Sequence, residues 1–387
     1  MGVEQETWPT AGCGVLVRGS MMKVLPVCVL VLGVSFGAAA QPSFVAVGDL
    51  PGGLPVSYAG GTSADGSVVT GFSYSDQGVS AFRWTEAGGI QELPRSNGPG
   101  TYETGFVSPS GNYISGRYQG LGAVWSEATG TVQVGDLPGG SDSSFVWAVN
   151  DQGTAVGQAS YGFNSLGAPL FRATRWTASG GLEALPFPTA TDEDIGSVAW
   201  SLLDDGRVFG QSASGAWLYS DSDGFEMLPG AEGMGESNSD GTFMVGQVSD
   251  PTGTAGVPAY WTPDGGLQYL PGLAFGQPGN PTGLSDDGSV IVGRRASDQV
   301  VWIDQGEPVL IRDYAESLGI DMTGWTIINV IDVSADGTTI VGGARHSSWV
   351  GPGFRVEGFV LTIPAPGAAV VFGFSGLLVQ RRRRCLH

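Results

Sequence analysis

Three residue types are nearly missing from this 387-residue chain, which has 3 cysteines, 2 histidines and a single lysine. The cysteines are Cys13, Cys28 and Cys385, all close to the ends. The stretch from Gln41 to Pro364 therefore forms neither a disulfide nor a thiolate metal site, and its core alone must hold the fold. It contains one histidine, His346, which excludes His-cluster metal centres and multi-histidine catalysis. A Ser–His–Asp triad would have to use His346, which follows the last glycine turn among Arg345, Ser347 and Ser348 and reads as a solvated loop residue. Lysine is absent from this stretch, where 11 arginines face 35 acidic residues, a balance of −24. Such a surface repels phosphate backbones, so no nucleic-acid partner is expected.

Signatures of catalysis are scarce as well. The Gly-x-Ser-x-Gly pattern Gly33–Gly37 lies in an apolar leader, where it cannot be a nucleophile elbow. No Walker-type or dinucleotide-binding glycine pattern stands at a strand-to-helix junction. The carboxylate pairs Asp204/Asp205, Asp286/Asp287 and Asp192/Asp194 have the residue type for glycosidase chemistry. The first two pairs sit in a repeated turn where aspartate is expected for structural reasons. Neither enzyme activity, a cofactor nor a metal is expected.

What the chain has in abundance is glycine and proline, 65 and 23 residues, roughly 23% together against about 12% in an average protein. Neither residue is tolerated inside helices, so a mainly helical fold is excluded. Disorder is excluded too, because 41% of residues are hydrophobic and 38 are aromatic. Many short strands with many tight turns remain, an all-β fold.

Both ends read as addresses. Met21-Met22-Lys23 precedes the apolar run Val24–Gly37 and then Ala38-Ala39-Ala40-Gln41, the order of a secretory signal with small residues at the −3 and −1 positions, Ala38 and Ala40. Cleavage before Gln41 is expected, making residues 1–40 a signal peptide. Residues 1–20 fit no part of such a signal, and Met21 or Met22 is the expected initiator. At the other end Pro364-Ala365-Pro366-Gly367 is followed by an apolar stretch to Val379 and by Arg381-Arg382-Arg383-Arg384. Thirteen residues from Gly367 to Val379 would rise only about 20 Å as a helix, short for a bilayer core of roughly 30 Å. This tail, 365–387, resembles the PEP-CTERM sorting signal of bacteria, with Ala365 where that signal usually has glutamate. The resemblance implies an exosortase-like sorting enzyme as partner and a transient membrane contact. A plain single-span anchor is the alternative.

Between the ends, over 41–364, the chain repeats. One element is a polar turn, a glycine, a β-branched run and a second glycine, as in Ser63–Gly71, Ser108–Gly116, Asn150–Gly157, Leu203–Gly210, Asn238–Gly246, Ser285–Gly293 and Ser334–Gly342. Its first glycines, from Gly66 to Gly337, are spaced by about 45 residues on average. Asp, Ser or Asn before Gly is hairpin-turn chemistry. No instance follows the calcium-loop pattern, so the turn aspartates read as caps. The second element is an aromatic strand, a glycine turn and a short strand ending in Leu-Pro, as in Ala81–Pro94, Ala173–Pro186 and Ala259–Pro271. Its marker aromatics are Trp84, Trp125, Trp176, Tyr219, Trp261 and Trp302. Recurring once per repeat at one strand position, they read as core rather than as a sugar-stacking platform.

Each repeat supplies four strands, the size of a β-propeller blade. The last repeat lacks its final strand, whereas Phe44–Pro51 resembles Val132–Pro138 and supplies the missing type. The expected architecture is a propeller of seven four-stranded blades, closed by the N-terminal strand. Unequal gaps, 53 residues from Gly153 to Gly206 but 35 from Gly206 to Gly241, leave six or eight blades open. Insertions fall at 161–171, read as a loop, at 189–194, and at 313–325, where Tyr314–Leu318 is expected to form a short helix.

At these two elements the chain resembles the HAF family of extracellular repeats, sharing Gly48–Gly53, Gly135–Gly140, the Asn/Ser-x-x-Gly turn and the Ala-aromatic-x-Trp strand. The leading His of that family is replaced by Ser80, Gly122, Gly215 and Pro258. The resemblance implies an exported propeller and lends no activity. The expected role is a non-enzymatic binding or scaffolding protein of the cell surface or extracellular matrix, with extracellular polysaccharide as partner. The alternative is a propeller enzyme acting on such a polysaccharide.

Overall fold

The computed structural model describes residues 41–95, 102–189, 196–253, 255–272, 277–349 and 355–365. Among these residues it has 28 strands and one helix, Ile311–Ser317. The strands form seven antiparallel sheets of four. Blade 1 runs outward as Gly52–Thr62, Val69–Ser75, Gly78–Thr85 and Gly89–Glu92. The inner strands of blades 2–6 are Tyr102–Val107, Ser144–Val149, Ser197–Leu202, Met234–Ser237 and Gly279–Leu284, and Trp325–Val333 opens blade 7. Each inner strand lies against those of the blades before and after it, round the full circle. The protein is a seven-bladed β-propeller.

The ring closes as the strand count predicts. Ser43–Ala46 is the outer strand of blade 7, paired antiparallel with Glu357–Thr362, with Phe44 opposite Leu361. Phe44 stacks on Phe359 at 5.2 Å and meets Trp325 at 5.0 Å. The chain then crosses into blade 1, where Val47, Leu50, Ala59, Val69 and Phe82 pack with Val341 and Val360 of blade 7. Burying side chains of this size stabilises by about 1.5–3 kcal/mol each, which is how a disulfide-free ring stays shut.

The first repeated element builds the turn and the crossing beneath the inner strand. In blade 1 the Asp65 carboxylate accepts from Ser67 N at 3.0 Å and Ser63 Oγ at 2.8 Å, while Gly66 takes φ +72°. Asp287 and Asp336 cap their turns in the same way. These bonds hold the Asp65 and Asp287 carboxyls below the usual carboxylate range. The turns also link blade to blade: Ala64 N donates to Pro109 O, Ser110 N to Asp151, Asp204 N to Ser239 O, Ser239 N to Asp286, Asp286 N to Ala335 O, and Asp336 N to Ala64 O. Six of the seven junctions carry such a bond. The second glycine is needed for space rather than for its φ. A Cβ on Gly157 would stand 1.9 Å from Phe145 O of the inner strand, and one on Gly71 1.9 Å from Tyr58 O.

The second element builds the outer core. Trp84, Trp261 and Trp302 are buried, and Trp125, Trp176 and Tyr219 are packed against buried clusters. Trp261 Nε1 donates to Pro229 O at 3.3 Å and Trp302 Nε1 to Pro271 O at 3.2 Å. The Leu-Pro carbonyl of one blade thus receives the indole of the next. Leu93, Leu185, Leu228 and Leu270 are buried beside it.

Two local expectations are corrected. The 161–171 stretch is largely strand: Ala155–Phe163 and Pro169–Thr177 pair through Phe163 and Pro169 as one long hairpin. Its turn is capped by Asn164 Oδ1, which accepts from Leu166 N and Ala168 N, so the polar composition served the turn alone. The helix begins at Ile311, before Tyr314, because Ile311 and Ala315 are buried on one face against the core of blades 6 and 7.

Candidate functional site

The inner strands do more than close the ring. In every blade their pairing with the second strand slips at a shared place, between Ala59 and Gly61, Thr104 and Val107, Val146 and Ala148, Ala199 and Ser201, Met234 and Glu236, Pro281 and Gly283, and Val330 and Asp332, and blades 1 and 7 slip once more, between Gly52 and Ser57 and between Ile327 and Asn329. Each shared slip is a β-bulge, which redirects a side chain that strict alternation would aim elsewhere. The glycine beneath the strand lets the two backbones approach at that point. The bulged residues, among them Phe106, Trp147, Trp200, Thr282 and Ile331, line the central channel.

The channel holds a cavity of about 620 Å³, continued past Phe106, Trp147 and Ile331 by a second of about 500 Å³ against Tyr58 and Asn329. Its wall is aromatic on blades 2–4. Trp147 and Trp200 are 5.5 Å apart with their rings tilted by 46°, and Phe145 backs Trp147 in a parallel stack at 5.4 Å. Arg117 covers the far face of this group, 4.1 Å from the Phe145 ring. Trp147 Nε1, Trp200 Nε1 and Ser237 Oγ are buried polar atoms with no protein partner.

Beyond the aromatic wall stand two acids, Glu236 of blade 5, on the same cavity as the indoles, and Asp332 of blade 7, which shares an adjoining cavity with Glu236. Asp332 is 7% exposed and accepts Thr62 N at 3.0 Å and Val333 N at 2.8 Å. Burial pushes its carboxyl up to about 7, although those two backbone bonds pull the other way. Glu236 is half-buried and faces the channel, whose walls desolvate its carboxyl and push it well above the usual range, and the nearby Asp332 adds to this. Among the described residues no hydrogen-bond donor is placed on the Glu236 carboxyl. Two enclosed carboxyls that resist ionisation can donate hydrogen bonds, take up a cation, or exchange a proton.

The sequence pointed elsewhere for chemistry. Asp205 pairs with Arg207 at 2.6 Å, Asp287 caps its turn, and Asp204 and Asp286 serve the junctions at the channel rim. Asp192 and Asp194 lie outside the described residues. His346 is not a solvated loop residue: it ends the strand Thr339–His346, half-buried against Trp325 at 4.9 Å. Its Nε2 donates to Thr323 O at 3.2 Å and its Nδ1 accepts from Ser348 at 2.6 Å. No serine–carboxylate pair completes a triad around it among the described residues. Of the expected processing residues, Gln41 and Ala365 are exposed and Pro364 is partly buried just beyond the last strand. Ala38, Ala40, Pro366, Gly367 and Arg381 to Arg384 lie outside the described residues. Among those described, no helix is long and apolar enough to cross a membrane.

Sequence reasoning missed Trp147, Trp200, Glu236 and Asp332, and a signal for the acids was available. Two residues before the turn, the repeats carry Gly61, Phe106, Ala148, Ser201, Glu236, Gly283 and Asp332. Two acids at a station held otherwise by small or apolar residues break the symmetry on one side of the ring.

No protein-family model and no curated protein matches the sequence. Among solved structures, the chain is similar to an oligogalacturonate lyase in complex with manganese, at 15% identity over 79% of this chain and 88% of that one, with a TM-score of 0.48. It is also similar to an oligogalacturonate lyase from Vibrio parahaemolyticus (10%, 85% and 98%, 0.47) and to TolB from Acinetobacter baumannii (11%, 80% and 64%, 0.41). At these identities and scores none of their activities transfers to this chain.

Proposed function

We propose that the chain is an exported propeller that holds extracellular polysaccharide in its central channel without cleaving it. The observation that carries this reading is the wall of Trp147 and Trp200, two indoles on the channel of suitable size to stack on sugar rings. The cavity size is that of a small-ligand site. Export and surface sorting are supported by the order of charge, apolar run and small residues before Gln41, and by the Pro364–Arg384 tail that would engage an exosortase-like enzyme. Binding is tested on a glycan array read for both retention and cleavage, with Trp147→Ala and Trp200→Ala alongside. Retention without products, lost in both variants, is expected. Sequencing of the mature protein from its host is expected to begin at Gln41, and a protein retaining Lys23 sinks the export reading.

The enclosed carboxyls favour one second reading, a propeller enzyme acting on polysaccharide. Glu236 would be its acid and Asp332 its partner. Products that appear with the wild type and vanish in Glu236→Gln would establish it.

A further inference from the structure

The charge of the channel narrows the class of glycan. Among the described residues the lining has four carboxyl groups, on Asp204, Glu236, Asp286 and Asp332, and no Arg, Lys or His. Two of the four carboxyls have structural work, since Asp332 holds Thr62 N and Val333 N and Asp286 holds Ser239 N, while the Asp204 carboxyl is exposed at the rim. Glu236 is left over, facing a cavity that opens onto the two indoles. An anionic sugar entering here would meet like charge with no cation to offset it. A neutral sugar would leave Glu236 protonated or costly to ionise. A sugar bearing an ammonium group supplies the missing opposite charge, and the indole faces attract the same cation.

We propose that the channel selects a glycan with free amino groups, a hexosamine polymer carrying unacetylated residues, and seats an ammonium group against Glu236 beside Asp332. This rests on the glycan-binding reading above. Binding then displaces a proton from the acid pair, because a nearby positive charge favours the ionised carboxylate. The other titratable groups on the channel, Asp204, Asp286 and the Tyr58 phenol, carry no positive charge, so none of them competes as a cation. Affinity for the protonated amine should rise from pH 5 to pH 7 as the displaced proton becomes easier to release.

The test is calorimetry of the full-length protein with three oligosaccharides of equal length, built of glucosamine, N-acetylglucosamine or galacturonic acid. It is run at pH 5 and pH 7, and in two buffers of different ionisation enthalpy to count protons. Expected at pH 7 is a preference of tenfold or more for the glucosamine oligomer over the acetylated one, with proton release. The preference should shrink at pH 5, and the galacturonic oligomer should be excluded. Glu236→Gln, close to isosteric, should abolish the preference and the proton release. Equal binding of amine and acetylated forms, or a preference unchanged in Glu236→Gln, overturns the proposal and leaves glycan binding standing. Binding of none of the three at millimolar concentration overturns both, and proton release is read on the wild type even if the variant misfolds.

Discussion

The backbone N–H of Thr62 donates to Asp332 Oδ2 at 3.0 Å across 270 residues, so a carboxyl of the last blade holds the inner strand of the first. The same carboxyl accepts Val333 N, and it stands on the channel beside Glu236. One residue therefore belongs both to the seam that closes the ring and to the site. Asp332→Ala would strand two buried N–H groups, each worth about 1–3 kcal/mol. The expected loss is about 2 kcal/mol or more in urea unfolding at pH 7, and a change within 0.5 kcal/mol refutes the seam role.

Deleting Ser43–Ala46 removes the outer strand of blade 7 and the Phe44–Phe359 stack, and leaves the edge of Glu357–Thr362 open. Excising the same length at the hairpin tip, Asn164–Gly167, removes a solvent-facing turn in which Leu166 is 91% exposed and beside which Phe163 is 52% exposed. Melting temperature should collapse in the first variant and shift by a few degrees in the second. Similar losses in both would mean that closure contributes little.

The acid pair sets the sign of the pH dependence. Folding raises the Asp332 carboxyl from its ordinary value near 3.8 to about 7, and Glu236 moves the same way. The native state thus holds protons that the unfolded chain releases between these values. This contribution is fully present below about pH 4 and is lost as pH rises toward 7. Melting curves from pH 4 to 8 should show a decline over this window that is shallower in Glu236→Gln. A variant as steep as the wild type would place the titration elsewhere.

Gly157→Ala should be costly, because its Cβ would stand 1.9 Å from Phe145 O beside the bulge that carries Trp147. Overpacking of this kind costs about 1–3 kcal/mol. Gly162→Ala, with open space around it in the same strand, should be near neutral. Equal effects would show that the glycine is not there for the close approach.

Much of this architecture was legible because the repeat exposes it. The turns from Asp65 to Asp336, the Trp and Leu-Pro pair, and the transfer of the Phe44 strand to the last blade all recur or complete a count. The channel was not legible for a physical reason. Alternation along a strand predicts which face a residue takes, but one extra residue in the pairing reverses it, and nothing in the composition of Val146-Trp147-Ala148 announces the bulge. The aromatic signal that recurs in the sequence is the Trp84 series, which is core, whereas Trp147 and Trp200 stand at bulges that no recurrence marks. His346 was misread because Trp325, which packs on it, lies in an insertion outside the repeat.

The placement of Ser43–Ala46 also orders events during synthesis. The first strand of the fold has no partner until Glu357–Thr362, the last strand among the described residues, has been made. Nearly the whole chain must therefore exist before the ring can shut, and until then both blade 7 and the blade 1 seam stay incomplete. A closure spanning so much sequence is intrinsically slow. The other six blades are built from consecutive strands, so closure of the ring is the one pairing that must wait for the end of the chain.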